Sequence, residues 1–209
     1  MEKGISLENV FLEFPLMLID TCSLFSSLDD SVNMHKSISE EETIKYINNI
    51  SESADFFRRF IGNGYNFKVT QDIFDEYTHE VEYPHRENRE VIDAKKAKSN
   101  EVKKLAKLLN SFGIVELNED ERKIYAHIHE KYFFLMDKHG ISEIDFDFLI
   151  SGAVLSETRN STCLISNDHS ILYSWNDILR EGLVDERRFG FFRRSGFDNF
   201  ERGYVNSIK

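Results

Sequence analysis

Two short apolar runs, each followed by an acidic residue, constrain this chain most strongly. Leu16–Ile19 has the composition of a buried strand and is followed by Asp20, and Thr162–Ile165 is followed by Ser166-Asn167-Asp168. In open α/β sheets the ligand crevice lies outside the carboxyl ends of the parallel strands. A carboxylate directly after such a strand is a candidate site residue, so the sequence predicts that Asp20 and Asp168 lie close together.

Helical patterns separate the strand-like runs along the chain. Residues with capping side chains, such as Ser39, Thr70, Asn118 and Ser142, precede segments whose apolar residues recur at helical spacing. The predicted helices are 39–62, 71–81, 87–110, 121–138, 143–157 and 170–179, and the predicted strands are 16–21, 66–69, 114–117 and 162–166, with a final strand or hairpin in 189–205. Alternating strands and helices imply a mainly parallel sheet covered on both faces, which is a three-layer α/β/α sandwich.

Size, charge and cysteine content narrow the class of protein. A chain of 209 residues fits one domain, and its two cysteines provide no disulfide framework. A reducing cytoplasm is therefore the expected location. No stretch approaches the ~20 continuous apolar residues of a membrane span, so we expect no membrane partner. The formal charge of -11 argues against binding to nucleic acid by bulk charge, but it leaves room for local basic patches.

Further acids occur where predicted helices begin. Glu76 lies early in the helix after the second strand, and Asp145 and Asp147 lie in the first turn of the helix over 143–157. In this fold class the strand ends and helix starts converge, so these acids can meet Asp20 and Asp168. A cluster of carboxylates without His or Cys partners is suited to a hard cation such as Mg²⁺ or Mn²⁺.

Three motifs resemble those of the PIN-domain nuclease family. Leu18–Phe25 resembles the family's opening strand, which ends in Asp-Thr or Asp-Ser, and Gly140–Ala153 resembles its Ser-x-x-Asp helix start followed by a small-residue apolar helix. Leu164–Asp168 resembles the strand that ends in Thr/Ser-x-Asp, and Glu76 matches the acid of the early helix. The resemblance extends from Leu16 to about Leu179. It implies a single PIN-like domain over 1–209, with a helical insertion at about 87–110 and a C-terminal extension at about 185–209.

The third acid of the resemblance has two candidates. Asp145 fits the Ser-x-x-Asp spacing from Ser142, whereas Asp147 better fits the distance to the small-residue helix that follows. Residues two apart on a helix point ~200° apart, so the two cannot face one metal equally. We favour Asp145 and keep Asp147 as the alternative metal ligand.

The resemblance implies a metal-dependent endoribonuclease that uses Mg²⁺ or Mn²⁺. The metal would lower the pKa of a bound water and stabilise the leaving oxygen of the phosphodiester. Thr21 or Ser166 would orient a ligand carboxylate or the attacking water. The implied catalytic residues, which are also metal ligands, are Asp20, Glu76, Asp145 and Asp168.

Candidate contacts to RNA lie in two basic regions. Lys95 and Lys96 belong to the lysine-rich segment 87–110, and Arg193 and Arg194 belong to the aromatic C-terminal segment. A solvated helix face is the alternative for the lysines, and packing at a domain edge or a homodimer interface is the alternative for the tail aromatics. The toxin half of a toxin–antitoxin pair, with an inhibitory antitoxin-like partner, is one expected role among others.

Two other functions stay open from the sequence. The first is a non-catalytic PIN-like binding or scaffold module, which the ordered set of acids argues against. The second is a nuclease for structured DNA, although no helical-hairpin DNA clamp is evident in the chain.

Overall fold

The described residues form a six-stranded mixed sheet. The computed structural model describes residues 4–20, 23, 52, 55–75, 111–196 and 198–203. The strands are β1 (Leu16–Ile19), β2 (Asn66–Val69), β3 (Gly113–Ile114), β4 (Thr162–Ile165), β5 (Phe189–Gly196) and β6 (Asn199–Arg202), in the order β3-β2-β1-β4-β5-β6. Neighbouring strands are parallel from β3 to β5, and β6 is antiparallel to β5. The prediction of an α/β fold with a mainly parallel sheet is therefore confirmed.

Helices connect and cover these strands. They are α1 (Leu7–Glu13), α2 (Glu119–Tyr132), α3 (Phe134–His139), α4 (Glu143–Thr158) and α5 (His169–Arg180), and residues 55–62 and 71–75 are also helical. The predicted caps Asn118 and Ser142 are confirmed, since their side chains accept backbone hydrogen bonds at the starts of α2 and α4. No helix in the described ranges is both long enough and apolar enough to cross a membrane.

Strand β5 shows how the apolar core is divided between the two faces of the sheet. A Cβ on Gly152 of α4 would lie within 3 Å of both Leu164 and Phe189, so α4 packs closely on this side of β4 and β5. On the opposite side, the ring of Phe192 contacts that of Phe14, which follows α1. Leu164, Phe189, Phe192 and Phe14 are buried, and burial of such apolar side chains is the main force that holds the layers together.

Three elements differ from the sequence prediction. Helix α1 was not predicted, and it begins at a Ser6 cap and buries Leu7 and Val10. The single helix predicted over 121–138 is divided into α2 and α3, because the Met136 amide bonds to the Phe133 carbonyl, three residues back, instead of continuing the α-helical pattern. Strand β3 has two residues where four were predicted.

The C-terminal segment contributes directly to the sheet. The predicted strand or hairpin in 189–205 is confirmed as β5 and β6, but β5 also pairs in parallel with β4 over Phe189–Phe192. The segment proposed as a C-terminal extension thus supplies two of the strands of this sheet. The predicted helix over 87–110 lies outside the described residues, as do most of the helices predicted over 39–62 and 71–81.

Candidate functional site

The candidate site lies where the strand order changes direction. From β1 the chain adds β2 and β3 on one side, and then returns to place β4 on the other side of β1. Ligand crevices of open α/β sheets form at such a switch point, outside the carboxyl ends of the strands. Asp20 follows β1 and Ser166 follows β4, so the switch point places both residues at one edge of the sheet.

Asp20 is fixed at this edge by backbone and side-chain hydrogen bonds. Its amide donates to the Ile165 carbonyl at 3.0 Å, which extends the pairing of β1 with β4 by one residue. Its carboxylate accepts a hydrogen bond from Ser166 Oγ at 2.6 Å. Asp20 is only 4% exposed, so the carboxylate is held in one orientation within a largely buried setting.

The Ser166 hydroxyl also connects Asp20 to Asp168. The Ser166 Oγ that donates to Asp20 also accepts a hydrogen bond from the backbone amide of Asp168 at 3.0 Å. The carboxylate of Asp168 caps α5 and accepts from the amide and the hydroxyl of Ser170, both at 2.6 Å. A single hydroxyl thus contacts the carboxylate of Asp20 and the backbone amide of Asp168, and the meeting of the two carboxylates stays a prediction. Ser170 was not predicted, although a serine two residues after an acidic cap is a recognisable turn pattern.

Asp145 lies beside Asp168 at the start of α4. Its carboxylate accepts a hydrogen bond from Ser142 Oγ at 2.6 Å, and its amide donates to the same oxygen at 3.1 Å. Burial raises the pKa of Asp145, the bond from Ser142 opposes this, and the negative charge of Asp168 raises the pKa further. Within the described residues, neither Asp145 nor Asp168 forms an ion pair with a basic side chain. The pair therefore carries negative charge that a cation would offset.

Asp147 contacts a different part of the molecule. It accepts a hydrogen bond from the Tyr125 hydroxyl of α2 and lies 3.5 Å from Nε2 of His129. Burial raises the pKa of Tyr125, and the hydrogen bond to Asp147 and nearby negative charges raise it further. Asp147 is therefore engaged with α2, whereas the charge of Asp168 raises the pKa of Asp145, which stays the favoured third acid. The Tyr125–Asp147–His129 contacts could not be predicted from the sequence, because they join two helices.

Arg194 is buried next to Ser23, three residues after Asp20. Its Nη1 donates to the Ser23 carbonyl at 3.2 Å, and the Ser23 amide donates to the Asp20 carbonyl at 3.1 Å. The guanidinium also lies 5.0 and 5.2 Å from the ring centroids of Phe56 and Phe57. Burial lowers the pKa of Arg194 to about 10, although the charge of Asp198 opposes this. Arg194 is 5% exposed, so its role is to hold Ser23 in place next to Asp20, and it lacks the exposed position that contact with a phosphate requires.

Asn167 joins β5 to the loop after β4. Its side chain accepts from the Arg194 amide at 2.8 Å and donates to the Arg194 carbonyl at 3.2 Å. Arg193, the neighbouring residue, is partly exposed, and its Nε is buried without a hydrogen-bond partner among the residues that the structure describes. Of the two predicted arginines, only Arg193 therefore keeps a position from which it could reach a bound phosphate.

Several predicted site residues lie outside the described ranges. They are Thr21, Glu76, Lys95 and Lys96. Within those ranges, no group of three or more His, Cys, Asp or Glu side chains is close enough together to hold a metal ion. A complete set of metal ligands would therefore need residues outside these ranges, such as Glu76. The donors in this set are carboxylate oxygens, which match the preference of Mg²⁺ and Mn²⁺.

Comparison with protein-family models, with curated proteins and with solved structures finds no match for this chain. A function can therefore be assigned to this chain only from the geometry of the site and from the sequence motifs.

Proposed function

We propose that this chain is a divalent-metal-dependent nuclease that hydrolyses phosphodiester bonds in RNA, built on a PIN-like three-layer α/β/α domain. The observation that carries the proposal is the Ser166 hydroxyl, which contacts both Asp20 and Asp168 at the switch point of the sheet. Asp145 is a further carboxylate near this edge, and the charge of Asp168 raises its pKa. The resemblance of the surrounding motifs to PIN-domain nucleases supports RNA as the substrate.

In this proposal Mg²⁺ or Mn²⁺ would be held by Glu76 and by acids from the set Asp20, Asp145 and Asp168, which as described do not form a three-carboxylate group. The bound metal supplies hydroxide near neutral pH and stabilises charge on the scissile phosphate. Ser166 holds the carboxylate of Asp20 through its hydroxyl proton and positions the start of the Asp168 loop through its lone pair. Thr21 keeps its predicted supporting role.

Arg193 is the proposed phosphate contact at the site. Ile165 pairs with Phe192 in the parallel ladder, and the Ser166 amide donates to the Phe192 carbonyl. Arg193 therefore lies on β5 just beyond the carboxyl end of β4, which is the edge of the sheet that carries Ser166. A partly exposed guanidinium suits a phosphate oxygen because its charged N–H donors match the geometry of the anion. Lys95 and Lys96 stay predictions for the more distant RNA backbone.

The test is cleavage of labelled single-stranded RNA, hairpin RNA and single-stranded DNA with Mn²⁺, Mg²⁺ or EDTA. Asp20→Asn keeps an oxygen that can accept the Ser166 bond, and Asp168→Asn keeps a good helix cap, so both variants are expected to fold. Asp120→Asn is the matched control, since this acid of α2 has a side chain that is 88% exposed.

We expect metal-dependent RNA cleavage by wild type and by Asp120→Asn, and loss of cleavage by the two site variants. Equal cleavage by wild type and Asp20→Asn would refute the assigned site. Cleavage of the DNA alone would instead favour a DNA nuclease.

A non-catalytic PIN-like module is the second candidate. It is favoured by the finding that the described residues contain no group of three metal ligands. Thermal melts with and without Mn²⁺ separate the two candidates, because a ligand that binds only the folded state raises the melting temperature. A rise for wild type that is lost in Asp168→Asn supports the nuclease, and no rise at millimolar Mn²⁺ supports the module. The cytoplasmic location, a homodimer and an inhibitory antitoxin-like partner stay predictions.

A further inference from the structure

Three aromatic rings form a cluster on α3 and α5, which we call the aromatic patch: Tyr173 and His169, which are exposed, and His139, whose side chain is 17% exposed. The centroid of the Tyr173 ring is 6.0 Å from that of His139 and 6.1 Å from that of His169. Tyr173 is 48% exposed, although a tyrosine ring gains from burial. Its aromatic surface is therefore open to a ligand and has aromatic neighbours on two sides.

Part of the aromatic patch is held in place by a partly buried acid. Asp177, one turn after Tyr173 on α5, lies 2.7 Å from His139 Nε2 and accepts a hydrogen bond from Lys138 Nζ at 2.6 Å. Burial raises the pKa of Asp177, but the bonds and charges of Lys138 and His139 outweigh that effect and lower it. The contact joins the end of α3 to α5 and fixes the ring of His139. A preorganised surface loses less freedom when it binds.

The patch adjoins the candidate site on both of its helices. His169 directly follows Asp168, and His139 is three residues before Ser142, which caps α4 and bonds to Asp145. Tyr173 is four residues into α5, which places it ~6 Å along the helix axis from His169. A strand of RNA with its phosphate at Asp168 would therefore pass the patch within about one nucleotide.

The charge around the patch suits a nucleic acid. Lys138 is half exposed beside Asp177, and Arg180 lies seven residues after Tyr173, on the same side of α5. Two basic side chains thus lie at the patch together with two acids, Asp177 and Asp168, in a chain whose formal charge is -11. Protein surfaces that bind single-stranded nucleic acid combine basic residues with aromatic rings on which bases stack.

We propose that the aromatic patch binds one nucleobase of a single-stranded RNA whose phosphodiester lies at the carboxylates, an inference that rests on the proposed nuclease function. Tyr173 provides the stacking surface, and His139 and His169 border the base. Stacking is tolerant of sequence because every base has a flat aromatic face. The patch would therefore set the position of the strand relative to the site and would add little preference for a particular base.

The experiment measures binding by fluorescence anisotropy with a labelled single-stranded RNA in EDTA, so that binding is separated from cleavage. Tyr173→Ala removes the ring, and Tyr173→Phe keeps it. Leu12→Ala is the control, because Leu12 is 75% exposed on α1 and outside the patch. A second set of RNAs carries a single abasic nucleotide at each position in turn.

We expect Tyr173→Ala to weaken binding about tenfold, with Tyr173→Phe and Leu12→Ala within about twofold of wild type. One abasic position should weaken wild-type binding by a similar factor and have little effect on Tyr173→Ala. Wild-type affinity in Tyr173→Ala, or no binding of RNA by wild type, would overturn the proposal. Tyr173-dependent binding without metal-dependent cleavage would retain the patch and reject the nuclease.

Discussion

The strongest test of the fold concerns a buried carboxylate that ties two helices together. Glu121 in the first turn of α2 is 2% exposed and accepts two hydrogen bonds from Arg159, both at 2.6 Å. It also accepts from the Thr158 hydroxyl at 3.0 Å and from the Asn118 amide at 2.8 Å. Arg159 ends α4, so this ion pair connects the start of α2 to the end of the helix that carries Asp145.

The perturbation is Glu121→Gln, which removes the charge and keeps a side chain that can complete the capping box. The hydrogen bond from Arg159 is the main cause that lowers the pKa of Glu121, from an ordinary 4.5 to about 2, and burial opposes it. Such a shift corresponds to about 3 kcal/mol at most. Arg159 is one-third exposed, so screening by water reduces the expected loss of unfolding free energy to about 2 kcal/mol.

The pH dependence follows from the direction of this shift. A carboxylate whose pKa is lowered by folding stabilises the protein fully above its ordinary pKa, and this contribution is lost as pH falls toward the lowered value. The difference between wild type and Glu121→Gln should therefore be constant above about pH 5. It should narrow steadily between about pH 5 and pH 2.

The assay is urea unfolding, monitored by circular dichroism, at several pH values between 3 and 7. Glu119→Gln is the matched control, since Glu119 lies in the same helical turn with a side chain that is 89% exposed, and we expect almost no change there. A loss in Glu121→Gln that is equally large at pH 3 and pH 7 would show that the ionised pair is not the cause, and the reasoning would fail.

Three further substitutions test other contacts. Gly152→Ala should cost about 1–3 kcal/mol in urea unfolding, because its Cβ would lie 2.6 Å from a β4 side chain, while Gly62→Ala, with nothing within 4 Å, should be neutral or slightly stabilising. Asp145→Asn should raise the melting temperature of the metal-free protein at pH 7. Burial and the charge of Asp168 raise the pKa of Asp145 above its ordinary 3.8, so ionisation of this acid at pH 7 costs folding free energy that the amide avoids. The gain in melting temperature should disappear below about pH 4, where the acid is protonated in both the folded and the unfolded state. Tyr125→Phe should lose about 1 kcal/mol of unfolding free energy with its bond to Asp147, and an unchanged urea midpoint would contradict that.

The sequence predicted the elements whose local signal is strong. Strands β1, β2 and β4 are short apolar or alternating runs bounded by polar residues, and each lies within one or two residues of its predicted bounds. Helix α4 was predicted almost to the residue because Ser142 gives a clear cap. Local sequence determines these features, so one sequence is sufficient to find them.

Features that depend on distant contacts could not be predicted in the same way. Helix α1 has seven residues, which is too short for a periodic pattern to stand out, and its position depends on packing of Phe14 against β5. The burial of Arg194 depends on Ser23, Phe56 and Phe57, which are far away along the chain. The spacing from Ser142 already favoured Asp145 over Asp147, but the contact of Asp147 with α2 could not be predicted from the sequence.

The bond from Ser166 to Asp20 spans 146 positions, and the bond from Arg194 to Ser23 spans 171. During synthesis Asp20 leaves the ribosome long before either partner exists. Strand β1 must therefore wait, without β4 beside it, until about four-fifths of the chain has been made, and β5 follows later still. If the proposed activity is correct, a nascent chain cannot assemble the site before Ser166 and Arg194 have been made, and the messenger RNA being translated is spared until then.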